Sequence, residues 1–293
     1  MSGQAEARVR ALPIWHGAVE PRPLGGGISN LNFLVDDGGR RCVVRIGDDV
    51  PVHGVLRAHE IAASRAAHAA GISPAVLYAE PGILVIEHIE ARTYAAPDVR
   101  ADLERVIDLV ARAHREVPRH LRGPAAAFWV FHVLRDYTHT LRDAGFRLAA
   151  ELPRYGALAA RLEAAVGAVE LVYGHNDLLA ANLLDDGSRL WLIDWEYSGF
   201  NSPLFDLGGL ASNNGLDAAA CETMLAIYFD RPVTDELRRR FQAMRAASLL
   251  REAMWSMVSE LHTAIDFDYA AYTAENLARF EAAYSAFDDM ERS

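Results

Sequence analysis

The 293-residue chain contains no lysine: all 29 of its basic residues are arginine, against 40 aspartates and glutamates, for a formal charge of −11. That absence excludes a Schiff-base lysine for carbonyl substrates or pyridoxal phosphate. It also excludes a G-x-x-x-x-G-K-[ST] phosphate loop and the lysine with which protein kinases grip nucleotide phosphates. Cysteine is scarce too. Cys42 and Cys221 stand far apart, which offers neither a metal-ligand spacing nor a disulfide framework and points to a reducing, cytoplasmic setting. No run approaches the roughly 18 apolar residues of a membrane span, and the opening MSGQAEARVR carries no apolar signal core. The acidic balance, with arginines scattered apart from Arg238-Arg239-Arg240, argues against a nucleic-acid partner. What remains is a globular composition, 51% hydrophobic and 24% charged, of a length that suits one large bilobal unit or two domains.

Two differently built regions follow one another. Asn32–Val35 and Cys42–Ile46 flank the turn Asp36-Asp37-Gly38-Gly39 and read as a β-hairpin. An alanine-rich helix at about 54–70 ends at Gly71 with Pro74 beyond. Ala75–Tyr78 and Ile83–Glu87, separated by Pro81-Gly82, read as a second hairpin. Beyond about residue 91 helical spacing takes over, as in Leu103, Val106, Ile107 and Val110. A β island at Leu171–Tyr173, Leu183-Leu184 and Leu190–Ile193 interrupts it. The order predicts an α+β, bilobal architecture: a small antiparallel-sheet lobe with one main helix over 1–90, then a large, mostly helical lobe over 91–293.

Three local patterns carry chemistry. Gly25-Gly26-Gly27-Ile28-Ser29-Asn30 lies between two predicted strands. Glycines there let backbone N–H groups approach an anion. A strand rather than a helix follows, which favours a flap over nucleotide phosphates above a dinucleotide loop, with a plain β-turn as the bland reading. His175-Asn176-Asp177 followed by Asn182 fits H-x-D-x-x-x-x-N, in which Asp accepts the proton of an attacking hydroxyl and Asn holds a metal. The apolar strand Leu190–Ile193 then ends in Asp194-Trp195-Glu196-Tyr197. A hairpin with Asn182 at one end and Asp194 at the other suits Mg²⁺, which prefers oxygen ligands together with substrate phosphates. Glycine flap, strand cation, helix glutamate, H-x-D-x4-N and strand-end Asp occur in the order phosphoryl transfer requires. Other chemistries find no support. His59-Glu60 opens an H-E-x-x-H, but Ala63 takes the second ligand position, and no G-x-S-x-G elbow occurs. His132 and His139 share a helix face without a third ligand and read as surface or packing residues.

HNDLLAANLLDDGSRLWLIDWEYSGFNSPLFDL resembles the signature block of the choline/ethanolamine kinase family, within the wider group typified by aminoglycoside phosphotransferases. GGGISNLNFLV and CVVRIGDD resemble that family's N-terminal lobe, and WSMVSELHTAIDFDYAAY its C-terminal substrate region. The resemblance implies a protein-kinase-like fold, ATP as donor, Mg²⁺ as cofactor and a small, cationic alcohol as acceptor. It implies that Asp177 is the catalytic base, that Asn182 and Asp194 bind magnesium, and that Arg45 replaces the phosphate-contacting lysine with Glu60 as its ion-pair partner. Gly25, Gly26, Gly27, Ser29 and Asn30 would cover the phosphates, and Glu87-His88-Ile89 would form the adenine hinge. Asp206 would brace the catalytic loop. Toward the acceptor, the resemblance points to Trp255, Tyr269 and Tyr272, with Glu196 beside the metal aspartate. The family's choline site often shows two tryptophans three residues apart; here Trp255 has Glu252 and Val258 at those distances. The expected activity is transfer of the γ-phosphate to choline, ethanolamine or a similar amino alcohol. An aminoglycoside- or sugar-type phosphotransferase and a regulatory, nucleotide-binding pseudokinase are the alternatives.

Overall fold

The computed structural model describes residues 2–25, 30–123, 125–263 and 267–292. In chain order it forms α1 (Ser2–Arg10), β1 (Arg22–Leu24), β2 (Leu31–Asp37), β3 (Arg40–Ile46), α2 (Arg57–Ala69), β4 (Val76–Glu80), β5 (Ile83–Glu87) and β6 (Arg92–Thr93). Helices α3 (Ala96–Ala101), α4 (Leu103–His120), α5 (Val130–Asp143) and α6 (Leu152–Val166) follow. Then come β7 (Val172–Gly174), β8 (Leu183–Asp185), β9 (Leu190–Leu192) and β10 (Gly199–Asn201), and finally α7 (Pro203–Asn213), α8 (Ala218–Phe229), α9 (Asp235–His262) and α10 (Tyr269–Arg292). Contacts divide the chain into two compact units. One comprises 1–93, 116–125 and 182–196; the other comprises 94–115, 126–181 and 197–293.

In the first unit an antiparallel sheet runs in the order β1-β2-β3-β5-β4. Its central strands alternate as a half-buried sheet must: Phe33 and Val35 on β2, and Cys42, Val44 and Ile46 on β3, point into one core. Each such side chain contributes about 1.5–3 kcal/mol when fully buried. The same core takes Ala5 and Val9 of α1 and Leu12 just beyond it, a helix the composition of the first ten residues does not announce. The hairpin β8–β9 belongs to this unit, not to the helical region after residue 90 as the sequence order suggested. The reason lies in backbone polarity, since strand edges must find partners. β6 pairs with β8, and Leu192 N–H donates to Ile72 O at 3.1 Å. Leu192 O accepts from the Ser73 hydroxyl, and the buried indole of Trp195 donates to Ser73 Oγ at 2.8 Å.

The second unit is built around α9, whose 28 residues bury small and apolar side chains along most of their length. α7 approaches it closely: a Cβ on Gly208 would lie 3.0 Å from the Arg245 backbone. Ser202, Asp217 and Thr234 cap α7, α8 and α9 through their side-chain oxygens, each worth about 1 kcal/mol. β7 pairs antiparallel with β10. That pair carries the chain directly into the H-x-D segment.

Candidate functional site

The two units hold their polar residues in different ways. Within the first, Asn182 immediately precedes β8 and Asp194 follows β9 by two residues. Ile193 N–H donates to Asn182 O at 3.0 Å and Leu183 faces Leu192, so the hairpin register sets Asn182 and Asp194 at the same end. Asp194 has φ 71°, a left-handed conformation that costs an L-residue energy and concentrates at functional positions. The turn delivers its Oδ2 to Arg45 Nη2 at 2.6 Å. Arg45 Nη1 donates to Glu60 Oε1, Glu60 Oε2 accepts from Arg57 Nη1 at 2.7 Å, and Glu196 Oε2 accepts from Arg57 Nη1 at 3.0 Å. Asn30 Nδ2 reaches the same Glu196 oxygen at 3.0 Å. Burial works against the Arg45 charge, yet Asp194 and then Glu60 outweigh it and raise the guanidinium further into its charged range. Arg57 behaves alike, burial opposed first by Glu60 and then by Glu196.

The donor set fits a divalent cation. Asp194 Oδ1 is buried and without a hydrogen-bond partner among the described residues; a hard cation uses such oxygens, and Asp194 and Asn182 would be the residues to hold one. No group of three His, Cys, Asp or Glu suited to a metal occurs among the described residues. Gly26, Gly27 and Ser29, expected over the phosphates, lie outside the described residues; Gly25 is exposed just before them. At the expected hinge, Glu87 N–H bonds Ala75 O and His88 N–H bonds Arg41 O, with Ile89 half-buried.

Within the second unit the H-x-D segment is clamped by one buried carboxylate. Asp206 Oδ2 accepts from His175 N–H at 2.7 Å, and its Oδ1 accepts from Asn176 N–H at 2.7 Å. His114 Nε2 meets Oδ2 at 2.8 Å, while its Nδ1 lies 2.7 Å from the Tyr228 hydroxyl. Burial alone would raise the Asp206 pKa, but the His114 hydrogen bond and the positive potential around it bring the carboxyl below its ordinary value. Asn176, at φ 66°, donates from Nδ2 to Tyr197 O at 2.9 Å and accepts from Asn201 at 3.1 Å. A Cβ on Gly174 would fall 2.7 Å from Asn176 Oδ1 and 3.2 Å from Asp206 Oδ2, so any side chain there would push on the groups that hold this loop. Of the three described non-glycine residues at positive φ, two are Asn176 and Asp194, each beside or within a predicted catalytic motif.

Asp177 opens onto a cleft lined also by Asn213, Ser248, Arg251 and Glu252. Glu252 accepts from Arg251 Nη1 at 3.0 Å and from the Tyr272 hydroxyl at 2.8 Å. Arg251 lies over the Tyr197 ring at 4.7 Å; burial opposes its charge, and Tyr137 and Glu252 outweigh that. Trp255 is half-buried, one helical turn from Glu252. Its indole N–H donates to Tyr197 Oη at 2.9 Å and its ring packs edge-on to Tyr272. Glu196 has a different setting from the acceptor-facing one expected of it: its carboxylate is buried against Arg57 and Asn30. Arg57, His114, Arg251 and Tyr197 escaped the sequence reading. Arg57 alone left a trace there, three residues before Glu60 on the same helix face.

The sequence profile of the phosphotransferase enzyme family (APH) matches residues 20–245, and the chain belongs to that family. Protein LicA of Haemophilus influenzae is 26% identical over 280 residues, covering 90% of this chain and 79% of that one. Ethanolamine kinase 2 of Mus musculus is 26% identical over 277 residues, covering 84% and 71%. Among solved structures, a choline/ethanolamine kinase family protein from Mesorhizobium loti superposes with a TM-score of 0.77 at 27% identity, covering 99% of this chain and 98% of that one. The fold is therefore protein-kinase-like, as the motif resemblance implied.

Proposed function

We propose that the chain transfers the γ-phosphoryl group of ATP to the hydroxyl of a small amino alcohol of the choline or ethanolamine kind. One observation carries this reading. Asp177, the H-x-D carboxylate of a phosphotransferase-family chain, shares its cleft with a second carboxylate, Glu252, on α9. The first suits a hydroxyl and the second an ammonium group. The names of the relatives support the same class of acceptor.

Phosphoryl transfer needs positioning and charge neutralisation more than covalent work from the protein. Asp177 accepts the hydroxyl proton as the O–P bond forms and the bond to ADP breaks. It need not have a raised pKa, because it takes the proton late. Asp206 and His114 hold the loop that presents it. Arg45 offers a planar fork to phosphate oxygens and keeps its charge at every working pH. Asn182 and Asp194 would hold Mg²⁺, which when bound neutralises phosphate charge. Glu252 would hold the acceptor's ammonium group in addition to its bonds to Arg251 and Tyr272, since a carboxylate accepts about four hydrogen bonds. A carboxylate in this place suits a primary ammonium, which has N–H groups to donate. A quaternary one needs aromatic faces.

The test is ADP release by purified protein with Mg·ATP against ethanolamine, its N-methylated series through choline, an aminoglycoside and a sugar alcohol. Turnover with an amino alcohol is expected. Turnover confined to an aminoglycoside or sugar, or nucleotide binding with no acceptor turned over, would overturn the reading.

A further inference from the structure

Arg57 has no place in the phosphoryl-transfer pattern, yet its side chain pairs with two of the first unit's carboxylates, Glu60 and Glu196, and its backbone N–H meets a third, Asp49. It opens α2, where its backbone N–H donates to Asp49 Oδ1 at 2.7 Å and its Nε to Asp48 O at 3.0 Å. The helix start is thus tied to the loop after β3. Its Nη1 then bridges Glu60 and Glu196. Because the other Glu60 oxygen takes Arg45, and Arg45 takes Asp194, a ring closes: Arg57, Glu60, Arg45, Asp194, and back through two residues of chain to Glu196. The nearby backbone is bare where the ring enters. A Cβ on Gly47 would lie 2.1 Å from Asn30 Oδ1 and 3.0 Å from Arg57 Nη2.

Two arginines face three carboxylates in this ring, and Arg57 and Glu196 are 6% and 7% exposed. A buried charge that loses its partner takes another. The nearest candidate for Glu196 is Arg45, whose Nη2 already lies 4.0 Å from Glu196 Oε2. We infer that Arg57 is a positioning residue for the nucleotide. By occupying Glu196 and half of Glu60, it keeps Arg45 in its pairs with Glu60 and Asp194, aimed to meet phosphate, and leaves Asp194 at the end of the hairpin, while Arg57 itself touches neither nucleotide nor metal. The inference rests on the reading above, in which Arg45 and Asp194 serve Mg·ATP.

The test is calorimetric binding of a non-hydrolysable Mg·ATP analogue, with steady-state kinetics and thermal unfolding alongside. Arg57→Gln is expected to weaken analogue binding about tenfold, a coupling of the usual size for residues sharing one network, while acceptor KM stays within about twofold. Adding Glu196→Gln to Arg57→Gln is expected to recover most of that loss, because the carboxylate that draws Arg45 away is neutralised. A residue that merely staples α2 would lower Tm without this rescue, and a double variant no better than Arg57→Gln would overturn the inference. If Arg57→Gln does not fold, Arg57→Lys serves: it keeps the charge but loses the fork, and unchanged analogue affinity would count against the role. Wild-type protein that binds no Mg·ATP analogue would overturn the functional reading and the inference together. Normal wild-type binding with an unaffected Arg57→Gln variant would sink the inference alone.

Discussion

The first unit places its polar residues by setting charge against charge, and the second by tying carboxylate to main chain. Around Arg45 every anchor is an ion pair, so the position of each group depends on the others and on water being kept out. Around Asp177 the anchor is Asp206, which grips two successive backbone N–H groups and one imidazole. In the first arrangement each group is set by its partners' charges, which suits the nucleotide role proposed for it. The second is geometric and fixes one loop conformation. The catalytic and nucleotide-binding roles proposed for these residues would thus rest on different physics in one chain.

This contrast can be broken at several points. The largest effect is expected for Asp177→Asn, which removes the proton acceptor without moving the loop. Its kcat should fall by about 10²–10⁴-fold with analogue binding unchanged, read by steady-state kinetics and calorimetry. High residual activity would remove Asp177 from catalysis. Next comes Asp206→Ala, which strands two buried N–H donors and should cost about 3 kcal/mol of unfolding free energy in a denaturant titration. Its pH dependence has a definite sign. The folded-state pKa is lowered, so the stabilisation is present above the ordinary carboxylate value of about 3.9 and is lost as pH falls through the folded value. Wild type should therefore lose stability in acid more steeply than Asp206→Asn; parallel curves would contradict the clamp.

Arg45→Lys keeps the charge but gives up the two-pronged contact to Glu60 and Asp194. KM for Mg·ATP is expected to rise about tenfold, with acceptor KM unchanged. Full activity with lysine would mean that charge alone suffices in this unit. The smallest effect is expected for Trp255→Phe, which loses only the indole bond to Tyr197 and should raise acceptor KM about threefold. A large change there would make Trp255 a direct wall of the acceptor site.

How much of this was legible varied with how local each interaction is. The hairpins at 31–46 and 76–87, the α2 helix and the buried face of α4 all follow from neighbour-to-neighbour patterns, and they form where period and turn residues put them. Helix α1 was not legible, because its three anchors, Ala5, Val9 and Leu12, make sense only against a sheet supplied by later residues. Asp177, Asn182 and Asp194 stood out as candidates because the proposed chemistry demands those types at those spacings. Glu196 could not be assigned from its neighbours: standing two places from Asp194, it looks like an acceptor ligand until Arg57, 139 positions away, is found against it. His114 and Arg251 were silent for the same reason.

The sequence by itself determined the class of chemistry. With no lysine in the chain, the family resemblance of its H-x-D-x4-N segment and IDWE strand end pointed to Arg45 as the candidate phosphate-contacting cation. Only the tertiary structure decided how that arginine is held. A buried guanidinium is set by every carboxylate packed around it, and those carboxylates come from α2 and from the far end of a hairpin some 150 residues away. Local spacing fixes which groups a chain owns. Which of them share a desolvated space is fixed by long-range packing alone.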